Sequence, residues 1–147
     1  MNILDYISTD RIHFFYHEDQ KEILQKLVQL SDNKLQSVDS FYSSILKREE
    51  LMSTGIGQNI AFPHEKTKDV KEFFISIGIS THGVDWQSFD NKDVNLIFLI
   101  GGLYGQQEKY LKLLAQLSSL IKKEENRTKL LTSNSPKDFE NALKSLL

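Results

Sequence analysis

Seven consecutive residues, Val94-Asn95-Leu96-Ile97-Phe98-Leu99-Ile100, are apolar at every position but one, and Gly101-Gly102 follow them. Successive side chains of a strand point to opposite faces, so a run apolar at both parities must be buried on both faces. Such a strand belongs in the middle of a sheet with cover on each side. The glycine pair is expected to stop it. Phe73-Phe74-Ile75-Ser76-Ile77-Gly78-Ile79-Ser80 reads as a second strand, and Thr81-His82-Gly83-Val84-Asp85 as the turn after it. Arg11 to Phe15 and Ile60-Ala61-Phe62 are shorter β-prone runs.

The cover is helical. Ile23, Leu24, Leu27, Val28 and Leu30 recur at helical spacing between Asp19 and Leu30. Phe41, Tyr42, Ile45 and Leu46 form a stripe on a helix from Val38 to Glu50, with Ser37 or Asp39 as cap. Gln106 to Lys123 predicts a long amphipathic helix whose apolar face is Tyr110, Leu113, Leu114, Leu117 and Ile121, helped by Leu111 and Leu120. Leu130-Leu131 lies in a short helix or turn. Ser135-Pro136-Lys137-Asp138 has the form of a helix start: serine cap, proline in the first turn, then an acid. Phe139, Leu143, Leu146 and Leu147 would dock that last helix. Trp86 and Phe89 sit in a polar loop and are expected to pin it down. The prediction is an α/β fold, a single-domain mixed β-sheet over residues 1–147 flanked by helices on both faces.

Several functions are excluded early. A net charge of -2 leaves no electrostatic footprint for nucleic acid or an anionic membrane. Without cysteine there is no disulfide, thiol catalysis or cysteine-based metal site. No apolar run approaches the roughly 20 residues that span a bilayer. The start, Met1-Asn2-Ile3-Leu4-Asp5, has no basic region followed by an apolar stretch, so no signal peptide is expected and the cytoplasm is the expected location. No GxxxxGK[ST] or GxSxG pattern occurs.

The chemistry-bearing stretch runs from Arg48 to Lys66. It passes from a charged helix end through Ser53-Thr54-Gly55-Ile56-Gly57 to Ile60-Ala61-Phe62-Pro63-His64. Glycine supplies backbone shapes other residues resist, and proline fixes φ. Together they aim the His64 imidazole out of a rigid turn. A neutral imidazole is a competent nucleophile near physiological pH. Phosphoryl transfer asks the protein for positioning and positive charge. Arg48 can clamp phosphoryl oxygens, and the amides around Ser53, Thr54, Gly55 and Gly57 can form an anion nest. By residue type alone, a structural histidine in a tight connection is equally open. His13 and His17 are spaced four apart, but Phe14-Phe15 between them argues for strand, and no acidic cluster completes a metal shell. His82 reads as a surface loop residue. No metal and no cofactor are expected.

The stretch Arg48-Glu49, Ser53-Thr54-Gly55-Ile56-Gly57, Ile60-Ala61-Phe62-Pro63-His64 resembles the active-site signature of the type-2 EIIA domains of the bacterial phosphoenolpyruvate-dependent phosphotransferase system, in its fructose/mannitol and nitrogen-regulatory branch. The likeness extends to Glu18–Leu30, to Val84-Asp85-Trp86 through Phe89-Asp90, to Val94–Leu99 and to Tyr110–Leu117. It implies a mixed sheet flanked by helices and a phosphoryl carrier. His64 matches the histidine phosphorylated by HPr or a related phosphocarrier, Arg48 the arginine beside the phosphoryl group, Ser53, Thr54, Gly55 and Gly57 the adjoining loop, and Pro63 the proline before the histidine. It also implies onward transfer to an EIIB-type acceptor, or action on a regulatory protein target.

Two positions depart from the pattern. Tyr110 stands where the family usually has a second histidine, and Glu65 where glycine is frequent. A tyrosine can donate a hydrogen bond but is not cationic. A regulatory binding module of the same fold, with weak or lost phosphotransfer, is therefore the alternative. No attached transporter or EIIB-like segment is expected from this sequence, and that expectation points the same way.

Overall fold

The nearly all-apolar run does lie at the centre of the sheet. The computed structural model describes residues 2–147, with Met1, at the head of the N-terminal segment, outside it. Among these residues the strands are β1 (Ile12–Phe15), β2 (Gly55–Gly57), β3 (Ile60–Ala61), β4 (His64–Thr67), β5 (Phe74–Val84) and β6 (Val94–Leu103). The α-helices are α1 (Gln20–Leu30), α2 (Val38–Leu51), α3 (Gln107–Ile121), α4 (Glu124–Leu131) and α5 (Pro136–Ser145). The sheet order is β1-β5-β6-β3-β2, and β4 also pairs with β6. The β5/β6 and β2/β3 pairs are antiparallel, while β1/β5, β3/β6 and β4/β6 are parallel.

Helices cover both faces. On one, Ile75, Ile77 and Ile79 of β5 and Leu96, Phe98 and Ile100 of β6 pack with Leu113 and Leu117 of α3, Leu130 of α4 and Phe139 and Leu143 of α5. On the other, Phe15, Phe74, Ile97 and Leu99 meet Ile23, Leu24, Leu27 and Val28 of α1 and Phe41 and Ile45 of α2. Burying each of these side chains removes apolar surface from water and stabilises by about 1.5–3 kcal/mol. Helix starts are capped as their sequences require. Asp19 accepts from the Glu22 amide at 2.9 Å, and the Glu22 carboxylate accepts from the Asp19 amide at 3.1 Å. Ser37 caps α2 and Ser135 caps α5.

Several boundaries differ from the sequence reading. Gly101-Gly102 do not end β6, which continues to Leu103. A Cβ at Gly101 would stand 2.1 Å from Cε1 of Phe74, and one at Gly102 2.4 Å from Cδ1 of Tyr110. The two glycines admit aromatic rings against the strand rather than turning the chain. β5 likewise runs through Thr81–Val84, absorbing Gly83 (φ +80°) at a register shift. Arg11 closes a 3₁₀ turn ahead of β1 instead of opening the strand. Trp86 is buried as expected, but Phe89 is 67% exposed, as are Leu111 and Leu147 to more than half.

One topological detail positions the site. β3 and β4 lie along the same edge of β6, with Ile60↔Leu96 and Ala61↔Ile97 followed by His64↔Ile100. Phe62-Pro63 separates them, and proline has no N–H for the ladder. The Pro63 carbonyl still accepts from the Ile100 amide at 3.0 Å. His64 thus opens a strand at the break, not a free turn.

Candidate functional site

The His64 ring is fixed at both nitrogens. Nδ1 lies 2.5 Å from the Phe62 carbonyl oxygen, an acceptor, so the ring carries its proton on Nδ1. Nε2 then holds a lone pair, and it lies 3.2 Å from Nη2 of Arg48, which donates to it. Burial pulls the imidazole below its ordinary pKa. The Phe62 carbonyl opposes that, the Arg48 charge adds to it, and Glu65 opposes it. The outcome is a half-buried, neutral imidazole with its nucleophilic nitrogen beside a cation.

Arg48 comes from the last turn of α2, and the following loop returns the chain to β2. Glu49 organises that loop. The Thr54 amide donates to its Oε2 at 3.1 Å, the Thr54 hydroxyl donates to Oε1, and Gln20 Nε2 donates to Oε2 at 3.4 Å. Trp86 Nε1 donates to Thr54 Oγ1 at 3.1 Å. Ser53 Oγ donates to the Trp86 carbonyl at 2.5 Å and accepts from the Gly55 amide at 3.0 Å. The amides of Thr54 and Gly55 are therefore engaged inside the loop and are not offered as a free anion nest. Burial raises the Glu49 carboxyl above its ordinary pKa, against the hydrogen bonds from Thr54 and Trp86 and the Arg48 charge.

The glycines serve close approach and turning. A Cβ at Gly55 would meet Ser88 Oγ at 2.3 Å. Gly57 (φ +93°), Gln58 (φ +59°) and Asn59 (φ +68°) form a run of left-handed backbone between β2 and β3, tied down by the Gln58 amide on Asp90 Oδ2 at 2.9 Å.

Tyr110 is where the histidine neighbour is expected. Its ring centroid lies 6.1 Å from that of His64. Burial pushes its phenol far above the ordinary tyrosine value, so the group is a neutral donor. Lys66 shares a face of β4 with His64. Its Nζ donates to Gln107 Oε1 and lies 5.9 Å from the Tyr110 centroid. Glu65 projects to the other face and accepts from the Lys66 amide at 3.0 Å.

Beside His64 opens a cleft of about 330 Å³, walled by Arg48, Ser53, Thr54 and Phe62 and rimmed by Leu51, Met52, Ile56 and Phe89. All four rim side chains are substantially exposed. The sequence reading missed Glu49 and the rim role of Phe89. A carboxylate beside Arg48 was the available signal for the first. An aromatic in a polar loop was the signal for the second, read as an anchor. The other histidines do not converge on the site. His13 packs edge-on to Phe15, and His17 stacks on His82 with centroids 4.5 Å apart. Among the described residues no group of three or more His, Asp or Glu is placed to hold a metal, and no helix is long and apolar enough to cross a membrane.

Residues 5–146 match the family model described as phosphoenolpyruvate-dependent sugar phosphotransferase system, EIIA 2. The chain is 35% identical over 138 residues, 92% of its length, to the PTS system fructose-specific EIIABC component of Bacillus subtilis (strain 168), but spans only 22% of that relative. The fold is shared with the nitrogen regulatory protein IIA-Ntr from Neisseria meningitidis (TM-score 0.89, 23% identity, covering 96% of this chain and 98% of that one). It is shared too with the Escherichia coli complex of enzyme IIAMTL and phosphorylated enzyme IIBMTL (TM-score 0.80, 15% identity, covering 95% and 97%). The match of the family model across almost the whole chain settles its membership: this protein belongs to the EIIA 2 family of the phosphoenolpyruvate-dependent sugar phosphotransferase system.

Proposed function

We propose that the protein is a cytoplasmic phosphoryl carrier that forms a phosphohistidine at Nε2 of His64. It takes the group from an HPr-like phosphocarrier and passes it to an EIIB-type acceptor, or holds it as a regulatory signal. The observation that carries the reading is the pair of contacts that His64 makes through its two ring nitrogens. Nδ1–H is committed to the Phe62 carbonyl, and the Nε2 lone pair is left beside Arg48. In the transfer step, Nε2 attacks the donor's phosphorus. An N–P bond forms to His64 as the donor's N–P bond breaks, and the donor imidazole leaves with that electron pair. Arg48 exchanges its hydrogen bond to Nε2 for the phosphoryl oxygens and meets their charge with its own. Ser53, Thr54, Gly55 and Gly57 shape the loop that holds Arg48 and walls the cleft. Family membership and the complex that a structural relative, enzyme IIAMTL, forms with phosphorylated enzyme IIBMTL support transfer between proteins. Incubation with phosphoenolpyruvate, enzyme I and HPr is expected to label the wild type and not His64→Ala. Equal labelling of His64→Ala would overturn the assignment.

A further inference from the structure

We propose that Glu49 is a positioning residue of this site, gripping Thr54 at two points so that the end of α2 presents the Arg48 guanidinium to Nε2 of His64. The inference rests on the phosphoryl-carrier reading for its kinetic consequence, not for its geometry.

Arg48 lies within four residues of the C-terminus of its helix, where the last carbonyls lack partners in the helix and ends fray. The cap residue Met52 is extended and has no glycine to close the helix in a left-handed turn. What secures this end is lateral. Glu49 accepts from both the amide and the hydroxyl of Thr54, five residues on. Thr54 in turn accepts from Trp86 Nε1, and Trp86 is fully buried. Ser53 closes the loop by donating to the Trp86 carbonyl. The chain of contacts runs from the core, through Trp86 and Thr54, to the helix turn that carries Arg48. A carboxylate is the group suited to the task, because its two oxygens accept in parallel from two donors on one residue. Its charge is enclosed here without a direct ion pair among the described residues, an arrangement that costs stability and is offset by its hydrogen bonds and by the nearby Arg48 charge.

The test reads Arg48 through His64 in the isolated protein. Arg48 charge favours the neutral imidazole, so losing its contact raises the His64 titration midpoint, followed by ring-proton NMR. Arg48→Ala sets the full size of that rise. Thr54→Val removes the hydroxyl without changing charge and is expected to give a large part of the same rise. Glu49→Asp keeps the charge, withdraws the carboxylate by one methylene, and is expected to act likewise. Thr54→Ser restores the wild-type midpoint. Combined with Arg48→Ala, Thr54→Val adds nothing further, because the group it positions is gone. In the phosphoryl-uptake assay Thr54→Val lowers the maximal rate on the order of tenfold, the effect of one hydrogen bond to a charged group, with the KM for the donor protein unchanged. A folded Thr54→Val and a folded Glu49→Asp that both titrate as wild type overturn the proposal, as do additive shifts in the double variant. If Thr54→Val does not fold, Glu49→Asp alone decides. Failure of the wild type to accept a phosphoryl group would count against the carrier reading and leave the titration result standing.

Discussion

At the scale of single residues, the site is a balance of charges around one imidazole. Burial and Arg48 lower the pKa of His64, while the Phe62 carbonyl and Glu65 raise it. A folded-state pKa below the ordinary value means that the folded protein binds fewer protons than the unfolded chain. The stability contributed is present above the unfolded value, near 6.5, and is lost as pH falls through the lower folded value. The rate of phosphoryl uptake follows the same sign, since protonated Nε2 has no lone pair. We expect uptake to fall in acid with a midpoint below 6.5, matched by the ring-proton titration of His64. A midpoint above the ordinary histidine value would contradict the arrangement of Phe62, His64 and Arg48. Glu65→Gly removes a charge that favours the imidazolium. The titration is then expected to move further down, Glu65 being the smallest of the influences on the ring and acting from the opposite face of β4.

At the scale of elements, the interior was legible and the edges were not. Strict helical spacing in α1 admits one reading, because a misassigned period would expose its apolar set, while the nearly all-apolar run in β6 is marked as a strand by its shortness and its β-branched and aromatic residues. Glycine is ambiguous in sequence. Gly101-Gly102 carry the marks of a stop, yet they sit inside β6 where Phe74 and Tyr110 press on the backbone. Only three-dimensional neighbours distinguish a glycine that turns from one that makes room. The same limit hid the nature of the Ser53–Gly57 loop: its donors are visible in sequence, but that Glu49 and Ser53 consume them is a matter of distance. The sequence puts His64 in a rigid turn after Pro63; it instead opens β4 at the break that Pro63, with no N–H for the ladder, makes after β3. Gly102→Ala tests the packing account. Its Cβ would fall within the Tyr110 ring contact, so we expect a loss of about 1–3 kcal/mol by urea denaturation, with the denaturant slope unchanged. A neutral substitution would mean that Tyr110 is free to move off β6. The His64 ring would then lose the neighbour against which it is tilted.

At the scale of the whole molecule, two apolar layers consume nearly all the large hydrophobic side chains, which makes the exceptions informative. Among the exposed large apolar side chains, Tyr16, Tyr104, Leu111 and Leu147 lie elsewhere, while Leu51 (87% exposed), Met52 (68%), Phe89 (67%) and Ile56 (45%) gather around one cleft, which contains His64. Each comes from a segment already constrained for another reason. Leu51 and Met52 end α2, Ile56 is the outward residue of β2, and Phe89 follows the Trp86 anchor. Keeping them exposed has no benefit for folding, while burying any one against a partner stabilises the complex by about 1.5–3 kcal/mol. Under the proposed carrier function such a rim suits docking of a second phosphohistidine protein, where water must be kept from the transferring group while the reactants dock and part. Phe89→Ser and Leu51→Ser are therefore expected to raise the KM for the phosphoryl donor by roughly tenfold each. The thermal midpoint should stay within about 2 °C, because neither side chain contributes to either core. Hydrolysis of the phosphohistidine in the isolated phosphoprotein should be unaffected, since Arg48 and the Phe62 carbonyl are untouched. A drop in maximal rate at unchanged KM would place these residues in the proposed transfer step instead of the docking.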